Sequence, residues 1–278
     1  MISKLIDNKA FREILKLFKV HLVLEWFFKT FQQTKQFGKF SYTVASLEAW
    51  LVEKEIFKKC IYDGVFDLAD IRTFADLGCN RGFFTVWLAT KTRSDLKGLL
   101  VEANPFLISE IQTLLKMNQL SAMHVFYGAA GAGMMDREVE ILIPPTDVGA
   151  GLSDVTFESL KGDSCKRVRV PILTIGRIWN EKFSSGERCD LLKVDIEGAE
   201  LRFFEDEGDF LALVDRLVVE VHESMISLDE VKKTLTSNGF ALVKECKEDS
   251  ETSLIFAERR IQRKRSTEPL YPASLVSM

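Results

Sequence analysis

Short apolar runs alternate with longer amphipathic stretches from residue 73 onwards. The apolar runs are TFADLG, KGLLVEAN, MHVFYGAA, CDLLKVD and DRLVVEVH, and stretches with apolar residues at helical spacing, such as FFTVWLATKTR and PFLISEIQTLLKMNQL, lie between most of them. Runs of this length predict buried strands, whereas apolar positions three and four residues apart predict helices. The alternation therefore predicts βαβ units, a parallel sheet and a doubly wound α/β domain.

Two pairs of predicted strands depart from this alternation. REVEILIP and KRVRVPILTI have no helical pattern between them, so we expect an antiparallel pair that carries a polar inserted loop over residues 144–165. GFALVKECK and ETSLIFAER are separated by EDS alone. Because so few residues cannot join parallel strands, this last pair predicts an antiparallel closing hairpin beside five parallel strands.

The first 40 residues have the pattern of a helix, in which apolar side chains recur three and four residues apart at Phe11, Ile14, Leu15, Phe18 and Leu22. A second helix is predicted over VASLEAWLVEKEIFKKCIYDG, ending at Gly64. We expect residues 1–42 to form a helical extension that caps the domain, over a cleft or at a contact between two copies of the chain. Binding of this basic amphipathic helix to an anionic membrane surface is the alternative.

The composition is that of a globular protein of one large or two small domains, with 278 residues of which 46% are hydrophobic. The five cysteines are scattered and none lies in a CxxC pair, which argues against a disulfide framework or a zinc site and favours a reducing compartment. No apolar stretch approaches the roughly 20 residues that span a bilayer, and the charged N-terminus does not resemble a signal peptide. We therefore expect a cytoplasmic protein.

Charge is distributed unevenly along the chain. Residues 1–40 carry a net +5 and residues 259–278 a net +4, whereas the whole chain carries −4, so the residues between these two segments carry −13. An acidic body does not suit a protein that binds a phosphate backbone, and nucleic acid is not an expected partner. We predict that residues 259–278 form a disordered basic tail. A nuclear-localisation signal or a nucleic-acid-binding segment is the alternative.

A candidate cofactor site follows the first predicted strand. FADLGCNRGFF combines a strand, a tight turn with Gly78 and Gly82, and the start of a helix whose amides can face an anionic group. Asp76 precedes the turn and can accept hydrogen bonds from a ligand or brace the loop. The dinucleotide-binding pattern GxGxxG is broken by Asn80 and Phe83, which favours a ligand that has no pyrophosphate.

Glu102 ends the next predicted strand, about 20 residues beyond the turn. A carboxylate at this place in a doubly wound sheet receives the hydroxyls of a ribose. Asn104 precedes Pro105, a combination typical of a helix N-cap, and it is also a candidate for lining the nucleoside pocket. Together with the glycine turn, these residues predict a cofactor that contains a nucleoside.

Charged residues interrupt the fourth predicted strand, LLKVDIEGAE, at every second position. Strand alternation puts Lys193, Asp195 and Glu197 on one face, and the next strand adds Glu220 and His222. Because ligands bind beyond the carboxyl ends of the strands in such sheets, we expect Asp195 and His222 to converge on one small volume. The alternative is a salt-bridged strand end in which Lys193 pairs with Glu220. The spacing is not that of a tight metal site, so no metal is expected.

These segments together resemble the FkbM-type class I methyltransferases, which use S-adenosylmethionine (SAM). DLGCNRGFF, VEANP, LLKVDIEGAE and VVEVH carry the resemblance, which spans residues 43–258 as a predicted catalytic domain. It implies a Rossmann-like, seven-stranded, mostly parallel sheet, SAM at the glycine loop, and methyl transfer to a hydroxyl oxygen. Cys79 stands where the family commonly has alanine, and VGAGLSD in the inserted loop matches the family only loosely. The candidate SAM-binding residues are Asp76, Gly78, Asn80, Gly82, Phe83, Glu102 and Asn104.

Asp195 and His222 are the candidate general bases, because an alcohol must lose its proton when it accepts a methyl group. Histidine has the more suitable pKa near neutral pH, although a structural hydrogen bond is the alternative role for His222. Lys193 and Glu197 are assigned to orientation and charge balance, and the expected acceptor is a hydroxyl of a small molecule or saccharide. The other functions considered are a nucleotide-dependent oxidoreductase on the same fold and a non-catalytic interaction module that keeps the sheet as a scaffold.

Overall fold

The structure, a computed structural model, describes residues 20–92, 95–131, 138–143, 151–152, 165–248 and 251–260. The α-helices in these ranges are α1 (Val20–Thr30), α2 (Leu47–Glu53), α3 (Phe83–Lys91), α4 (Ile108–Met117), α5 (Ile175–Lys182), α6 (Glu200–Asp206), α7 (Gly208–Leu211) and α8 (Leu228–Ser237). The strands in the same ranges are β1 (Gln33–Phe37), β2 (Phe40–Val44), β3 (Thr73–Leu77), β4 (Lys97–Glu102), β5 (Met123–Tyr127), β6 (Ala129–Ala130), β7 (Glu138–Ile143), β8 (Gly151–Leu152), β9 (Lys166–Leu173), β10 (Leu191–Val194), β11 (Arg216–His222), β12 (Phe240–Lys247) and β13 (Thr252–Arg259).

Seven strands of the described residues form one sheet in the order β12-β13-β11-β10-β3-β4-β5. β10 pairs parallel with both β3 and β11, and β4 pairs parallel with both β3 and β5. β13 runs antiparallel to both of its neighbours, β11 and β12. The structure therefore confirms the predicted doubly wound, mostly parallel sheet with an antiparallel closing hairpin. The switch in strand order lies between β3 and β10.

Helices cover both faces of this sheet because successive strand residues alternate between two apolar cores. On β3, Phe74 packs in the core that α3 and α4 share, whereas Leu77 packs in the core formed with helices α5 to α8. Leu191 of β10 belongs to the first of these cores. Lys193, two residues further along β10, therefore lies on the face of the sheet that α3 and α4 cover.

The N-terminal segment differs from the prediction of one helix over the first 40 residues. α1 is followed by β1 and β2, which form an antiparallel hairpin around Gly38, whose φ of 58° suits a tight turn. The helix prediction is therefore wrong for Gln33–Phe37. The segment is extended because Phe37 packs against Phe57, with ring centroids 4.7 Å apart. Residues 1–19, which carry most of the predicted helical pattern, lie outside the described part of the chain.

The second predicted helix is present in a shorter and less regular form. α2 begins after Ser46, whose Oγ accepts a hydrogen bond from the Ala49 amide at 3.0 Å, and it continues directly as a π-helical turn, Lys54–Lys58. Cys60 has a φ of 52°, so a residue other than glycine adopts the left-handed conformation that ends the helix. The predicted end at Gly64 is therefore too late.

A smaller sheet, in the order β6-β9-β7-β8, contains the inserted strands. β7 and β9 pair antiparallel, with Ile141 opposite Val168, as predicted. Of the predicted loop over residues 144–165, the structure describes only β8, which pairs with β7, and Cys165. The rest of this loop and the basic tail from residue 261 onwards lie outside the described residues. No helix in the described ranges is long and apolar enough to cross a membrane.

Candidate active site

The turn after β3 makes close backbone contacts with its neighbours. Gly78 and Gly82 both have a φ of 75°, and the amides of Gly78 and Cys79 donate to the Val101 carbonyl at 3.0 Å. A Cβ on Gly78 would lie 1.7 Å from the backbone oxygen of Asp195, and one on Gly82 would lie 3.0 Å from a leucine side chain of α4. Glycine is therefore needed at both positions, because the end of β10 and helix α4 approach the turn closely.

Asp76 lies near the carboxyl end of β3, and its side chain is fully buried. Neither of its carboxylate oxygens has a hydrogen-bond partner among the described residues. Its Oδ1 lies 3.8 Å from Nζ of Lys193, which is its partner residue in the parallel pair of β3 and β10. Burial raises the pKa of Asp76 to about 6, although Lys193 acts to lower it. A buried acceptor without a donor suits a ligand that carries hydrogen-bond donors.

Glu102 ends β4 with both carboxylate oxygens directed at backbone amides. Oε2 accepts from the Asn80 amide and Oε1 from the Asn104 amide, each at 2.7 Å. Burial raises the pKa of Glu102 to about 7, although these two hydrogen bonds act to lower it. Each carboxylate oxygen has a second lone pair, so Glu102 keeps the capacity to accept two further hydrogen bonds, such as those from ribose hydroxyls.

Asn80 and Asn104 shape the loops on either side of Glu102. Asn80 has a φ of 49°, a conformation that asparagine tolerates better than most residues. Asn104 Oδ1 accepts from the Phe106 amide at 3.0 Å, so it caps the turn ahead of α4 rather than α4 itself. Its Nδ2 atom is buried and has no hydrogen-bond partner in the part of the chain that the structure describes.

Two neighbouring side chains differ in how they relate to the cofactor loop. The Phe83 ring lies in the apolar core, 5.3 Å from the Tyr42 ring centroid, so any contact between Phe83 and a cofactor would involve its backbone. Arg81 was not among the candidates, yet its buried guanidinium bonds Glu110 at 3.0 Å and Asn80 Oδ1 at 3.3 Å. Arg81 therefore fixes the loop, and its place between two turn glycines was the signal that sequence reasoning missed.

These residues fit the nucleoside portion of SAM. Asp76 near the end of β3 supplies buried acceptor oxygens, and Asn104 after β4 supplies a buried donor nitrogen, and none of these atoms has a hydrogen-bond partner among the described residues. Glu102 lies between the two loops and bonds both. Buried polar groups without partners are costly in a folded protein, so their presence on neighbouring loops indicates a polar ligand.

Lys193 connects this loop region to the charged ends of β10 and β11. Its side chain is buried, and its Nζ lies 2.8 Å from Asp195 Oδ2. Burial acts to lower the pKa of Lys193, but the surrounding groups raise it well above its ordinary value; these are Asp195, Tyr62, Asp76 and Glu220. Within the described residues, Lys193 forms ion pairs with Asp195 and Asp76. The alternative of a salt-bridged strand end predicted a pair with Glu220 instead.

His222 lies at the end of β11, and carboxylates surround its ring. Nε2 is 3.4 Å from Glu197 Oε2 and 3.8 Å from Glu220 Oε1, and Nδ1 is 3.8 Å from Glu200 Oε1. Burial acts to lower the pKa of His222, but the neighbouring carboxylates of Glu200, Glu197, Asp195 and Glu220 raise it to about 11. The imidazole is therefore protonated at neutral pH in this arrangement.

Asp195 and His222 lie together at the carboxyl ends of adjacent strands. Val194 pairs with Val219 in the parallel pair of β10 and β11, so Asp195 and Glu220 follow this pair on neighbouring strands. Side-chain ligand atoms of Asp195, Glu220 and His222 all lie within 4.8 Å of one another. Burial and the nearby Asp195 raise the pKa of Glu220 well above its ordinary value. The two central strands thus hold a compact group of ionisable side chains.

Glu197 and Glu200 reach this group from the turn after β10. β10 ends at Val194, and Glu197 has a φ of 54°, so the turn rather than strand alternation directs Glu197 towards His222. Glu200, in the first turn of α6, was not among the candidates. Here it is fully buried, and its Oε1 accepts from the Ile196 amide at 3.1 Å and the Gly198 amide at 3.2 Å.

Comparisons with known proteins assign this site to a family. The "Methyltransferase 1" of Beauveria bassiana (strain ARSEF 2860) is 28% identical over 230 residues, which cover 77% of this chain and 90% of that protein. The "Methyltransferase sdnD" of Sordaria araneosa is 25% identical over 243 residues, covering 79% of this chain and 93% of that protein.

A solved structure of a methyltransferase FkbM from Methylobacillus flagellatus KT is 17% identical with a TM-score of 0.45, covering 70% of this chain and 45% of that one. The sequence pattern of the methyltransferase FkbM domain matches residues 76–242, which are more than half of the 278 residues and contain all the candidate site residues. The chain therefore belongs to the FkbM family of SAM-dependent methyltransferases.

Proposed function

We propose that the protein methylates a hydroxyl oxygen of a small molecule or saccharide. The observation that carries this proposal is the buried Lys193, whose Nζ lies 3.8 Å from Asp76 in the cofactor region and 2.8 Å from Asp195 at the strand ends. Because Lys193 contacts both, the nucleoside-binding loop and the ionisable group at β10 and β11 belong to one site in this proposal. When bound, SAM supplies a methyl group that its sulfonium has already activated.

Asp76, Glu102 and Asn104 are the residues that hold the cofactor in this proposal. Glu102 accepts the ribose hydroxyls, because both of its oxygens have acceptor capacity beyond the two amides they already bind. Asp76 and the Asn104 amide nitrogen bind polar groups of the same ligand, since each is buried without a hydrogen-bond partner among the described residues. Gly78, Asn80 and Gly82 shape the backbone of the turn.

Asp195 is the residue we assign to the acceptor proton. It is the least buried carboxylate of the group, and only one of its oxygens is engaged by Lys193. A carboxylate in this place accepts the hydroxyl hydrogen bond and then the proton that the hydroxyl loses. His222 does not suit this role, because a pKa of about 11 leaves its imidazole without a free lone pair at neutral pH. We assign His222, Lys193 and Glu197 to positioning and charge balance.

A hydroxyl-rich acceptor matches the polar groups at the strand ends. Asp195, Glu197 and Glu220 are each only partly buried and present carboxylate oxygens around one volume. Carboxylates accept hydrogen bonds from hydroxyls and donate none when ionised, so an acceptor with several hydroxyl groups satisfies them. These carboxylates therefore favour a saccharide or a polyhydroxylated small molecule over an acceptor that carries carbonyl groups alone.

The test is a panel of hydroxylated acceptors incubated with the purified chain and labelled SAM. We expect label in a methyl ether, and we expect Asp195→Asn to lower kcat by about 10²-fold or more, the usual contribution of a general base, while SAM affinity stays within a few-fold. Glu258→Gln, which changes a half-exposed carboxylate of β13 far from the strand ends, serves as the matched control. Label on nitrogen or carbon, or full activity in both Asp195→Asn and His222→Ala, would overturn the proposal.

Two measurements separate this function from the alternatives. A nucleotide-dependent oxidoreductase would be stabilised against heating by NAD rather than by SAM. A non-catalytic module would bind no SAM in a calorimetric titration, or would bind it and transfer no methyl group to any acceptor of the panel.

A further inference from the structure

Asp195, Glu220 and His222 form a group with the composition of a cation site. Their side-chain ligand atoms lie within 4.8 Å of one another. Ligands about 2.1 Å from an ion stand roughly 3 to 4 Å apart, so small side-chain movements bring these three atoms into reach of one ion. We propose that Asp195, Glu220 and His222 bind a divalent cation of the Mn²⁺ or Mg²⁺ type beside the acceptor position, contrary to the expectation drawn from the spacing along the sequence. The ion replaces the proton that His222 carries in the ion-free protein, so binding releases this proton and frees the ring nitrogen to coordinate.

Rigid elements of the fold position these three ligands. Glu220 and His222 are two residues apart on β11, so both side chains project from the same face of the strand. β11 is held on one side by β13, with His222 opposite Thr252, and on the other by β10. Asp195 follows β10 directly, and its amide donates to the Leu77 carbonyl at 3.0 Å. Two central strands therefore fix the site, rather than mobile loops.

Glu200 supplies an observation independent of the three ligands. It is fully buried, its carboxylate faces the ring of His222 with Oε1 3.8 Å from Nδ1, and its Oε2 has no hydrogen-bond partner among the described residues. A metal-binding histidine commonly presents its second ring nitrogen to a carboxylate, which fixes the direction of the coordinating nitrogen. Here Glu200 lies behind Nδ1, and Nε2 faces Glu197 and Glu220.

The local charge supports the same conclusion. Four carboxylates meet at these strand ends, namely those of Asp195, Glu197, Glu200 and Glu220, and the cationic groups that the structure places within 4 Å of them are Lys193 and His222. Lys193 is also shared with Asp76. Because uncompensated buried charge is costly, a divalent cation bound here would stabilise the four carboxylates.

This inference rests on the proposed function and deepens it. A cation between these ligands and an acceptor hydroxyl would hold the hydroxyl oxygen in place and lower its pKa. Asp195 would then hold the ion as a ligand, and the proton that the hydroxyl loses would pass to the second carboxylate oxygen of Asp195 or to Glu197 beside it. Two of the three ligands are carboxylates, the type of group that suits Mn²⁺ and Mg²⁺.

The test measures Mn²⁺ binding to the full chain by electron paramagnetic resonance, without SAM or acceptor. We expect one Mn²⁺ per chain, displaced by Mg²⁺, and affinities that fall about tenfold or more in each of Asp195→Asn, Glu220→Gln and His222→Gln. Glu200→Gln should weaken binding as well, because it disturbs the orientation of His222. Glu258→Gln, the carboxylate on β13 used above, should bind Mn²⁺ as the unmodified chain does.

The outcomes of this test are distinct from those of the acceptor panel. Failure of the unmodified chain to bind Mn²⁺, or equal affinity in all three ligand variants and the control, would overturn the cation site. Circular dichroism identifies any variant that has not folded. The Mn²⁺ affinities of the ligand variants that do fold then decide whether the cation site exists. Mn²⁺ bound at this site with no methyl ether formed would reject the hydroxyl acceptor and keep the cation. Methyl ether formation unchanged in EDTA would reject the cation and keep Asp195 as the proton acceptor.

Discussion

Gly78→Ala is expected to disrupt the contact between the cofactor turn and the end of β10. The added Cβ would lie 1.7 Å from the backbone oxygen of Asp195, whereas carbon atoms in proteins rarely approach such an oxygen closer than 3.0 Å. Relief of this overlap needs a displacement of about 1.3 Å, the difference between those distances, between two backbones that the sheet holds in place. The substitution therefore acts on backbone and not on a flexible side chain.

Two terms contribute to the expected loss of stability. A φ of 75° strains any residue with a Cβ, by about 1 to 2 kcal/mol. Overpacking of a well-filled region adds about 1 to 3 kcal/mol. We therefore expect Gly78→Ala to lower the free energy of unfolding by roughly 2 to 5 kcal/mol. Because a misplacement near 1 Å costs about 10²-fold in rate, turnover should fall by a similar factor in the protein that remains folded.

Gly64 and Gly186 provide matched controls for the backbone term. Their φ values are 75° and 74°, and a Cβ at either position would meet nothing within 4 Å. Gly64→Ala and Gly186→Ala should therefore lower the free energy of unfolding only by the backbone strain, about 1 to 2 kcal/mol. The assay is equilibrium unfolding in urea followed by circular dichroism, together with calorimetric titration of SAM. If Gly78→Ala is destabilised no more than these controls and binds SAM equally well, the close approach of Asp195 to the turn is not what requires glycine.

Three further predictions concern the cofactor residues and the N-terminal segment. Glu102→Ala should weaken SAM binding at least about tenfold in a calorimetric titration, because it removes the ribose acceptor and frees the Asn80 amide; unchanged affinity would place the ribose elsewhere. Burial raises the pKa of Glu48 to about 7, so the folded state holds a proton that the unfolded chain loses at lower pH, and stability is lost as the pH rises through 7. Glu48→Gln should therefore resist urea better than the unmodified chain at pH 8, by at most about 3 kcal/mol, and an equal or lower midpoint there would contradict this sign. Ser46→Ala should cost about 1 kcal/mol in the same assay by removing the cap of α2, and no loss would mean that the cap bond to the Ala49 amide contributes nothing.

The sheet and the positions of its charged ends could be predicted because both depend on local patterns. Apolar runs such as those containing Leu77 and Val194 are long enough to be strands and too short to be helices, and the order of the connections fixes their direction. Once β10 and β11 are neighbours, Asp195 and His222 must meet at one edge. The alternation of side chains along β10 likewise places Lys193 on the same face as Asp76.

Other features could not be predicted because they depend on contacts between distant parts of the chain. The hairpin of β1 and β2 replaces a helix because Phe37 reaches Phe57, which lies 20 residues further along. Glu200 differs in that its contacts are local: its carboxylate accepts from amides two and four residues away, in a turn whose positive φ at Glu197 is not indicated by any apolar pattern. Arg81 braces the cofactor loop through Glu110, which lies 29 residues further along in α4. None of these partners is specified by spacing along the sequence.

The position of Lys193 explains why the charged strand is tolerated within a sheet that is otherwise apolar. A buried ammonium group is costly unless opposite charges compensate it, and Lys193 has Asp76 on one side and Asp195 on the other. Asp76 belongs to the cofactor region and Asp195 to the acceptor region, so each region supplies part of the charge that the other needs. Loss of either carboxylate would therefore alter the electrostatics of both regions. The charges at alternate positions of LLKVDIEGAE are tolerated because Lys193 needs a carboxylate from each region.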